Sequence, residues 1–142
     1  MIEQFVEKWH NHIKGEHPGG LDDLLTDDVV FYSPVVFTPQ KGKEVTKLYL
    51  GAAGNVLPAS ETRETAPSDK PKFGYIKEVF SGNTAVLEFQ TEVEGKYVNG
   101  IDMITINDEG KIIEFKVMVR PLQAINTLHR QMGEMLEKMQ SA

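Results

Sequence analysis

The sequence predicts an α+β fold, in which a curved antiparallel sheet wraps around N-terminal helices and one further helix follows the sheet. Two hydrophobic patterns support this prediction. Apolar residues recur at helical spacing in the N-terminal part of the chain, whereas from Lys72 to Arg120 apolar and polar residues alternate as they do in strands. Helices followed by a run of strands favour a layered domain with the helices on one face of the sheet. Because the 142 residues contain no repeat or linker, we expect one domain with a sizeable core.

The N-terminal part predicts three helices and one strand. Gly15 can end the first helix, Pro34 stops the strand, and Pro58 can end the third helix. The predicted elements are a helix over residues 2–13, a short helix that holds Leu21, Leu24 and Leu25, a strand over 29–33 and a helix over 45–56. Residues 58–71 contain three prolines and predict a loop, which could be a pocket lid or a connector.

The second half of the chain predicts a meander of four antiparallel strands. Its three turns each contain a glycine that is free to take a positive φ angle. In the last strand, alternation turns one set of apolar side chains to the same face. That set is Ile113, Phe115, Val117 and Val119.

A final helix begins at Pro121 and carries a broad, Met-rich apolar stripe. This stripe could pack on its own domain, cover the mouth of a pocket or meet a partner subunit. We expect residues 1–120 to form the main part of the domain and residues 121–142 to be its C-terminal helical extension.

Composition argues against several classes of function. Fifteen basic against 21 acidic residues give a net charge of −6, which is unfavourable for binding nucleic acid or an anionic membrane surface. The chain has no cysteine and no apolar run of membrane-spanning length, and its start does not resemble a signal peptide. We therefore expect a cytoplasmic protein that does not bind a membrane, and no cofactor is implied.

The histidines do not predict a metal site. His10 and His12 are two positions apart, so they do not share a helix face, and zinc pairs on helices are spaced by about four residues. We interpret these two and His17 as solvated residues at the edge of a helix. His129 in the last helix is expected at the surface or in a subunit contact.

Asp102 is the residue that most strongly suggests chemistry. It lies in a predicted strand whose other residues, from Gly100 to Ile106, are almost all apolar. A charge in such a place is costly unless the carboxyl group has a partner or stays protonated. Two interpretations remain open: an acid that works in a pocket, or a structural carboxylate paired with a buried Lys, Tyr or Trp. Gly100 should share a face with Asp102 and leave room beside it.

Two segments of the chain resemble the SnoaL-like and ketosteroid-isomerase-like members of the nuclear transport factor 2-like superfamily. The first is the acidic pair, strand and proline of residues 25–34, with Gly42 a few residues on. The second runs from Ile101-Asp102 through Asn107 and Gly110 to the apolar last strand. The resemblance covers residues 1–120. It implies a cone-shaped α+β barrel around a pocket, and a homodimer through the outer face of the sheet, where Glu88, Gln90, Glu114, Lys116 and Met118 lie.

The same resemblance assigns roles to three positions. Asp102 falls where those isomerases hold a protonated Asp that donates to the developing enolate oxygen. Ser33 falls at the position of their proton-shuttling carboxylate, but a hydroxyl is too weak an acid to shuttle protons near neutral pH. Trp9 falls at the position of their oxyanion Tyr, and its indole can donate but cannot titrate. Steroid isomerisation by that mechanism is therefore not expected.

These observations predict an apolar pocket that binds a small apolar molecule. Trp9 needs a hydrogen-bond partner when buried, and Asp102 is a candidate for it. Besides Trp9, Ser33 and Asp102, the predicted walls are Ile13, Phe31, Tyr49, Phe73, Tyr75, Leu87, Phe89, Ile104, Phe115, Val117 and Val119. Two functions remain open. One is a cofactor-independent isomerase, cyclase or hydrolase-like enzyme that uses Asp102 as general acid/base, and the other is a non-catalytic ligand-binding or dimeric scaffold module.

Overall fold

A computed structural model describes residues 1–56 and 73–140 and confirms the predicted fold class. A six-stranded curved sheet lies against the helices, and a long helix follows the last strand. In chain order the elements are α1 (Ile2–Ile13), α2 (Gly20–Leu24), β1 (Leu25–Tyr32), β2 (Gln40–Lys41), α3 (Lys43–Val56), β3 (Gly74–Ser81), β4 (Thr84–Val93), β5 (Lys96–Ile106), β6 (Ile112–Arg120) and α4 (Leu122–Gln140). The loop predicted over residues 58–71 lies outside the described residues. No helix in the described ranges is both long enough and apolar enough to cross a membrane.

The sheet is mixed rather than wholly antiparallel. Its strand order is β2-β1-β6-β5-β4-β3, and the predicted meander from β3 to β6 is antiparallel throughout. β1, however, runs parallel to β6, which the sequence did not predict. A parallel pair needs a long connection instead of a hairpin, and β2, α3 and the first three strands of the meander lie between these two strands in the chain.

The sequence also misplaced some local details. Leu25 begins β1 instead of ending the second helix, and the short strand β2 was not predicted. In β6, Ile112 is fully buried while Ile113 is 36% exposed, so the expected inward position of Ile113 is wrong. The pairing of β5 with β6 shifts between Thr105 and Ile106, and such an irregularity changes which side chains face the core.

The core consists of two apolar clusters. One joins α1, α2, β1 and the central strands, and it includes Trp9, Phe31 and Phe115. The other joins β4 and β5 to α4, and it includes Phe89 and Leu128. The side chains of Tyr75 and Val117 pack against both clusters, and the cavity described below is lined by members of both.

Candidate functional site

A cavity of about 360 Å³ lies between the sheet and the helices, with walls that are mostly apolar. Four of the predicted residues carry polar groups and lie on its wall: Trp9, Ser33, Tyr75 and Asp102. Seven of the predicted apolar residues also line it: Ile13, Phe31, Phe73, Phe89, Phe115, Val117 and Val119.

Three predicted wall residues do not reach the cavity. Leu87 and Ile104 are fully buried on the inner face of the sheet and belong to the core. Tyr49 packs on the ring of Phe31, with ring centroids 5.5 Å apart, and it is Phe31 that lines the cavity. For Leu87 and Ile104 the predicted alternation gave the right face of the sheet, but it could not tell that neighbouring side chains cover them.

Asp102 is buried at the cavity wall, with 7% of its surface exposed. The hydroxyl group of Tyr75 donates a hydrogen bond to its Oδ2 atom at 2.5 Å. Burial raises the pKa of Asp102 to about 7, because a charged carboxylate loses its hydration, and the bond from Tyr75 opposes this rise only in part. Among the described residues no other hydrogen bond to the side-chain carboxyl group of Asp102 is present, so Oδ1 is the oxygen left for a ligand.

The sequence suggested that Trp9 contacts Asp102 directly. In the structure Tyr75 lies between them. The indole Nε1–H of Trp9 donates to the hydroxyl oxygen of Tyr75 at 3.0 Å. Since an indole can only donate, Tyr75 must accept from Trp9 and direct its own proton to Asp102. Burial and the adjacent Asp102 raise the pKa of Tyr75 well above its ordinary value, so Tyr75 keeps this proton. The three side chains therefore form a chain of hydrogen bonds in which Trp9 donates to Tyr75 and Tyr75 donates to Asp102.

The glycine beside Asp102 has a different role from the one expected. The sequence suggested that Gly100 leaves open space, but the ring of Phe89 occupies it. A Cβ atom at Gly100 would lie 2.6 Å from Cζ of Phe89 and 2.6 Å from the carbonyl oxygen of Met118. Phe89 in turn stacks on Phe73, with ring centroids 5.2 Å apart. Gly100 thus allows an aromatic wall to lie against β5.

Ser33 follows the end of β1 and lies at the cavity wall. The backbone N–H of Val35 donates to its Oγ atom at 3.1 Å, which holds the hydroxyl group in a local turn. Ser33 therefore stabilises the segment after β1, and it brings no carboxylate into the cavity.

His12 is a cavity residue that the sequence did not predict. It was expected to be solvated, but it is half-buried at the wall, with its ring centroid 5.2 Å from that of Trp9. Burial, and then the nearby His17, lower the pKa of His12 below its ordinary value, which favours the neutral imidazole. The spacing of three residues from Trp9 was the available signal, because it puts both rings on one face of α1.

The remaining histidines lie outside the cavity. His10 pairs with Glu78 at 2.5 Å, His17 pairs with Asp23 at 2.8 Å, and His129 is exposed on α4. Within the described ranges, no three histidine or acidic side chains are grouped so that they could hold a metal ion.

The last helix forms part of the cavity. Leu128 and Met132 of α4 lie on its wall, together with residues from the other helices and the sheet. Of the roles that the sequence left open for the Met-rich stripe, the structure shows packing on its own domain, and two of its residues line the cavity.

Comparison with solved structures identifies the family. A steroid delta-isomerase from Pseudomonas aeruginosa superposes with a TM-score of 0.84 and 31% identity, covering 99% of this chain and 95% of that chain. The chain belongs to the SnoaL-like and ketosteroid-isomerase-like family of the nuclear transport factor 2-like superfamily. The membership predicted from residues 1–120 is thereby confirmed.

Two other solved structures are less similar to the chain. An uncharacterised protein with a cystatin-like fold from Silicibacter pomeroyi has a TM-score of 0.74 and 27% identity, covering 92% of this chain and 83% of that chain. A nuclear transport factor 2-like protein of unknown function from Mesorhizobium loti, at 16% identity, shares the fold, with a TM-score of 0.63 over 84% of this chain and 93% of that chain. No family model and no curated protein matches the chain.

Proposed function

We propose that this protein binds a small, mostly apolar molecule with a carbonyl oxygen, and that the carboxyl group of Asp102 donates a hydrogen bond or a proton to that oxygen. The observation that carries the proposal is the buried pair of Asp102 and Tyr75 at the wall of a largely apolar cavity. An apolar hollow with a few convergent polar groups is the usual form of a small-molecule site.

The protonation state of Asp102 supports a donor role. With a pKa of about 7, roughly half of the molecules carry the proton near neutral pH. Tyr75 already occupies Oδ2, so a proton on Oδ1 is the one that can reach a ligand. A carbonyl oxygen that gains negative charge during enolisation is stabilised most by such a donor, because the donor is in place before the charge develops.

Family membership supports the enzymatic form of this proposal, a cofactor-independent isomerase, cyclase or hydrolase-like enzyme with Asp102 as general acid/base. The neighbour at 31% identity is a steroid delta-isomerase, so steroid-sized ketones belong in the ligand panel. The alternative is a non-catalytic ligand-binding or dimeric scaffold module. Ser33 favours that alternative, because it occupies the position at which the resemblance expects a second carboxylate.

The test is the pH dependence of ketone binding, measured by calorimetry with decalone, a bicyclic ketone, and with a steroid 3-ketone. If only the protonated form of Asp102 donates, wild-type affinity should fall more than tenfold between about pH 6.5 and pH 8.5, as that form disappears. Asp102→Asn keeps an uncharged donor at every pH, so its affinity should stay constant across this range.

A matched control is Asp108→Asn, which alters an exposed acid in the turn between β5 and β6 and should keep the wild-type pH dependence. The donor role would be ruled out if the wild-type affinity for the ketone were constant with pH. It would also be ruled out if the affinity of Asp102→Asn still fell at high pH.

Two further expectations stay predictions. The resemblance implies a homodimer through the outer face of the sheet, where Met118 is 49% exposed in the single chain. Sedimentation of wild type and of Met118→Glu would test it, since burying an added charge in a contact between subunits is unfavourable and should shift a dimer to monomers. A cytoplasmic location likewise remains an expectation from the sequence.

A further inference from the structure

We propose that His12 is the proton acceptor that works with Asp102 in this cavity, in the role for which Ser33 is unsuited. This inference rests on the proposed function, because it assumes that the carbonyl oxygen of a ligand lies against Asp102. It extends that function by naming a second catalytic residue, which removes a hydrogen from the carbon beside the carbonyl group.

His12 differs from three other polar residues at the cavity wall, because their hydrogen-bonding groups already have partners within the protein. The indole N–H of Trp9 is used by Tyr75, and the hydroxyl proton of Tyr75 is used by Asp102. The oxygen of Ser33 accepts the N–H of Val35. Among the described residues, the ring nitrogens of His12 make no hydrogen bond, although the side chain lies at the cavity wall. His12 therefore has a nitrogen available to a ligand.

The position of His12 relative to the hydrogen-bond chain is also suitable. Its ring packs on Trp9 with centroids 5.2 Å apart, and Trp9 leads through Tyr75 to Asp102. A general base must lie close to the reacting carbon while the acid contacts the oxygen. His12 and Asp102 line the same cavity from α1 and β5, so one ligand can meet both.

The surroundings of His12 keep it in the form that accepts a proton. Burial and the nearby His17 lower its pKa, and His17 is itself bound to Asp23. Tyr75 of β3 and Asp102 of β5 are the other titratable groups on the described cavity wall. The wall residues contributed by α2, α3, β6 and α4 are apolar. Neutral His12 and protonated Asp102 thus coexist over a limited pH interval.

The proposed reaction converts the ketone to its enol by two proton transfers. A ring nitrogen of His12 takes a proton from the carbon next to the carbonyl group, and the C–H electron pair forms a carbon–carbon double bond. The π electrons of the carbonyl group move to its oxygen, which takes the proton of Asp102. His12 becomes an imidazolium and Asp102 a carboxylate, and the product is an enol. Return of both protons regenerates the protein, with the carbon proton delivered either to the same carbon or to the far end of a conjugated double bond.

The test measures hydrogen–deuterium exchange next to the carbonyl group of decalone in heavy water by NMR. The wild-type protein should accelerate the exchange, with a rate that falls at acid pH as His12 gains a proton and above about pH 7 as Asp102 loses its proton. His12→Gln and His12→Phe should each slow exchange by about 100-fold or more while binding decalone within about threefold of wild type.

The two variants distinguish a role of His12 as a base from a purely structural role of its ring, because Phe keeps the aromatic contact with Trp9 and lacks the nitrogen. His129→Gln, on the exposed side of α4, is the matched control and should exchange like wild type. The proposal would be overturned if both His12 variants still accelerated exchange. It would also be overturned if the exchange rate of these variants still fell at acid pH as in wild type.

Failure of this inference is distinguishable from failure of the proposed function. If decalone binds with the expected pH dependence but the wild type does not accelerate exchange, His12 is not a proton acceptor and the binding role of Asp102 stands. If the His12 variants do not fold, NMR of the wild-type ring decides: its signals should shift when decalone binds, and unchanged signals would contradict the proposal.

Discussion

Asp102 and Glu94 lie eight residues apart in the same meander, yet the fold shifts their pKa values in opposite directions. Asp102 is buried in β5 with one neutral donor, and its pKa rises to about 7. Glu94 lies in the exposed turn between β4 and β5. Hydrogen bonds from Arg130 and then Gln131 of α4 lower its pKa.

The difference shows that solvent access and the charge of the partner decide what a carboxyl group does. Glu94 keeps water and gains a cation, so its charged form is favoured. Asp102 loses water and gains only the neutral hydroxyl of Tyr75, so its proton is favoured. Glu94 joins α4 to the sheet, whereas Asp102 keeps a proton that it can donate to a ligand.

The largest expected effect comes from Asp102→Asn and concerns stability. Because the folded protein holds the Asp102 proton more tightly than the unfolded chain, the stability from this group is fully present below its ordinary pKa of 3.8 and is lost as pH rises through about 7. The whole loss corresponds to about 4 kcal/mol in the free energy of unfolding. Asn cannot ionise, so the variant should lack this decline and exceed wild type at pH 8.

Urea unfolding at pH 5 and pH 8 measures about 3 kcal/mol of this decline, because the carboxyl group of the unfolded chain has already lost its proton at pH 5. Asp108→Asn should retain it, since that acid is exposed. Equal declines in wild type and Asp102→Asn would show that Asp102 is not buried as a neutral acid.

A smaller effect is expected from Tyr75→Phe, which removes the one described partner of Asp102. The bond from Tyr75 lowers the pKa of Asp102, so its loss should move that pKa above 7. The indole N–H of Trp9 also loses its acceptor, which should cost about 1–3 kcal/mol of stability. Carbon-13 NMR of the Asp102 carboxyl group and urea unfolding measure the two effects. Tyr32→Phe, at the end of β1, is the comparison variant, and a lower Asp102 pKa in Tyr75→Phe would refute this account.

The smallest effect is expected from Glu94→Gln. Because its pKa is lowered, the stability that Glu94 contributes is present above the ordinary carboxyl range and is lost as pH falls through its folded value. The variant should be slightly less stable than wild type at pH 7, should match it at strongly acid pH, and should differ less when salt is added. If Glu94→Gln lost as much stability as Tyr75→Phe, or if its loss did not depend on salt, solvent exposure would not explain the difference between Glu94 and Asp102.

Local sequence patterns predicted the meander and the setting of Asp102. Alternation from Lys72 onward specifies strands, and an acid among apolar neighbours specifies a buried carboxyl group. Both follow from residues that are adjacent in the chain. The parallel contact of β1 with β6 and the exposure of Ile113 depend instead on connections and register shifts, which periodicity does not report.

The partner of Asp102 could not be found from the sequence because it lies two strands away. Tyr75 is in β3 and Asp102 in β5, with β4 between them. Neighbouring strands are about 4.8 Å apart, so the gap of roughly 10 Å can be bridged by a tyrosine but not by a serine or threonine. Several tyrosines were long enough, and only the order of the strands selects Tyr75. His12 was missed although Trp9 and Ile13 of the same helix were placed at the pocket, because the width of the helix face that lines the cavity depends on how α1 packs.

The contribution of α4 to the cavity means that the size of the site and its chemistry reside in different parts of the chain. Leu128 and Met132 shape the space, whereas the proton-bearing groups belong to α1, β3 and β5. Smaller residues at these two helical positions would enlarge the hollow without disturbing any of those hydrogen bonds. A protein engineer seeking room for longer ligands would begin with this helix, and divergence among natural relatives can follow the same route.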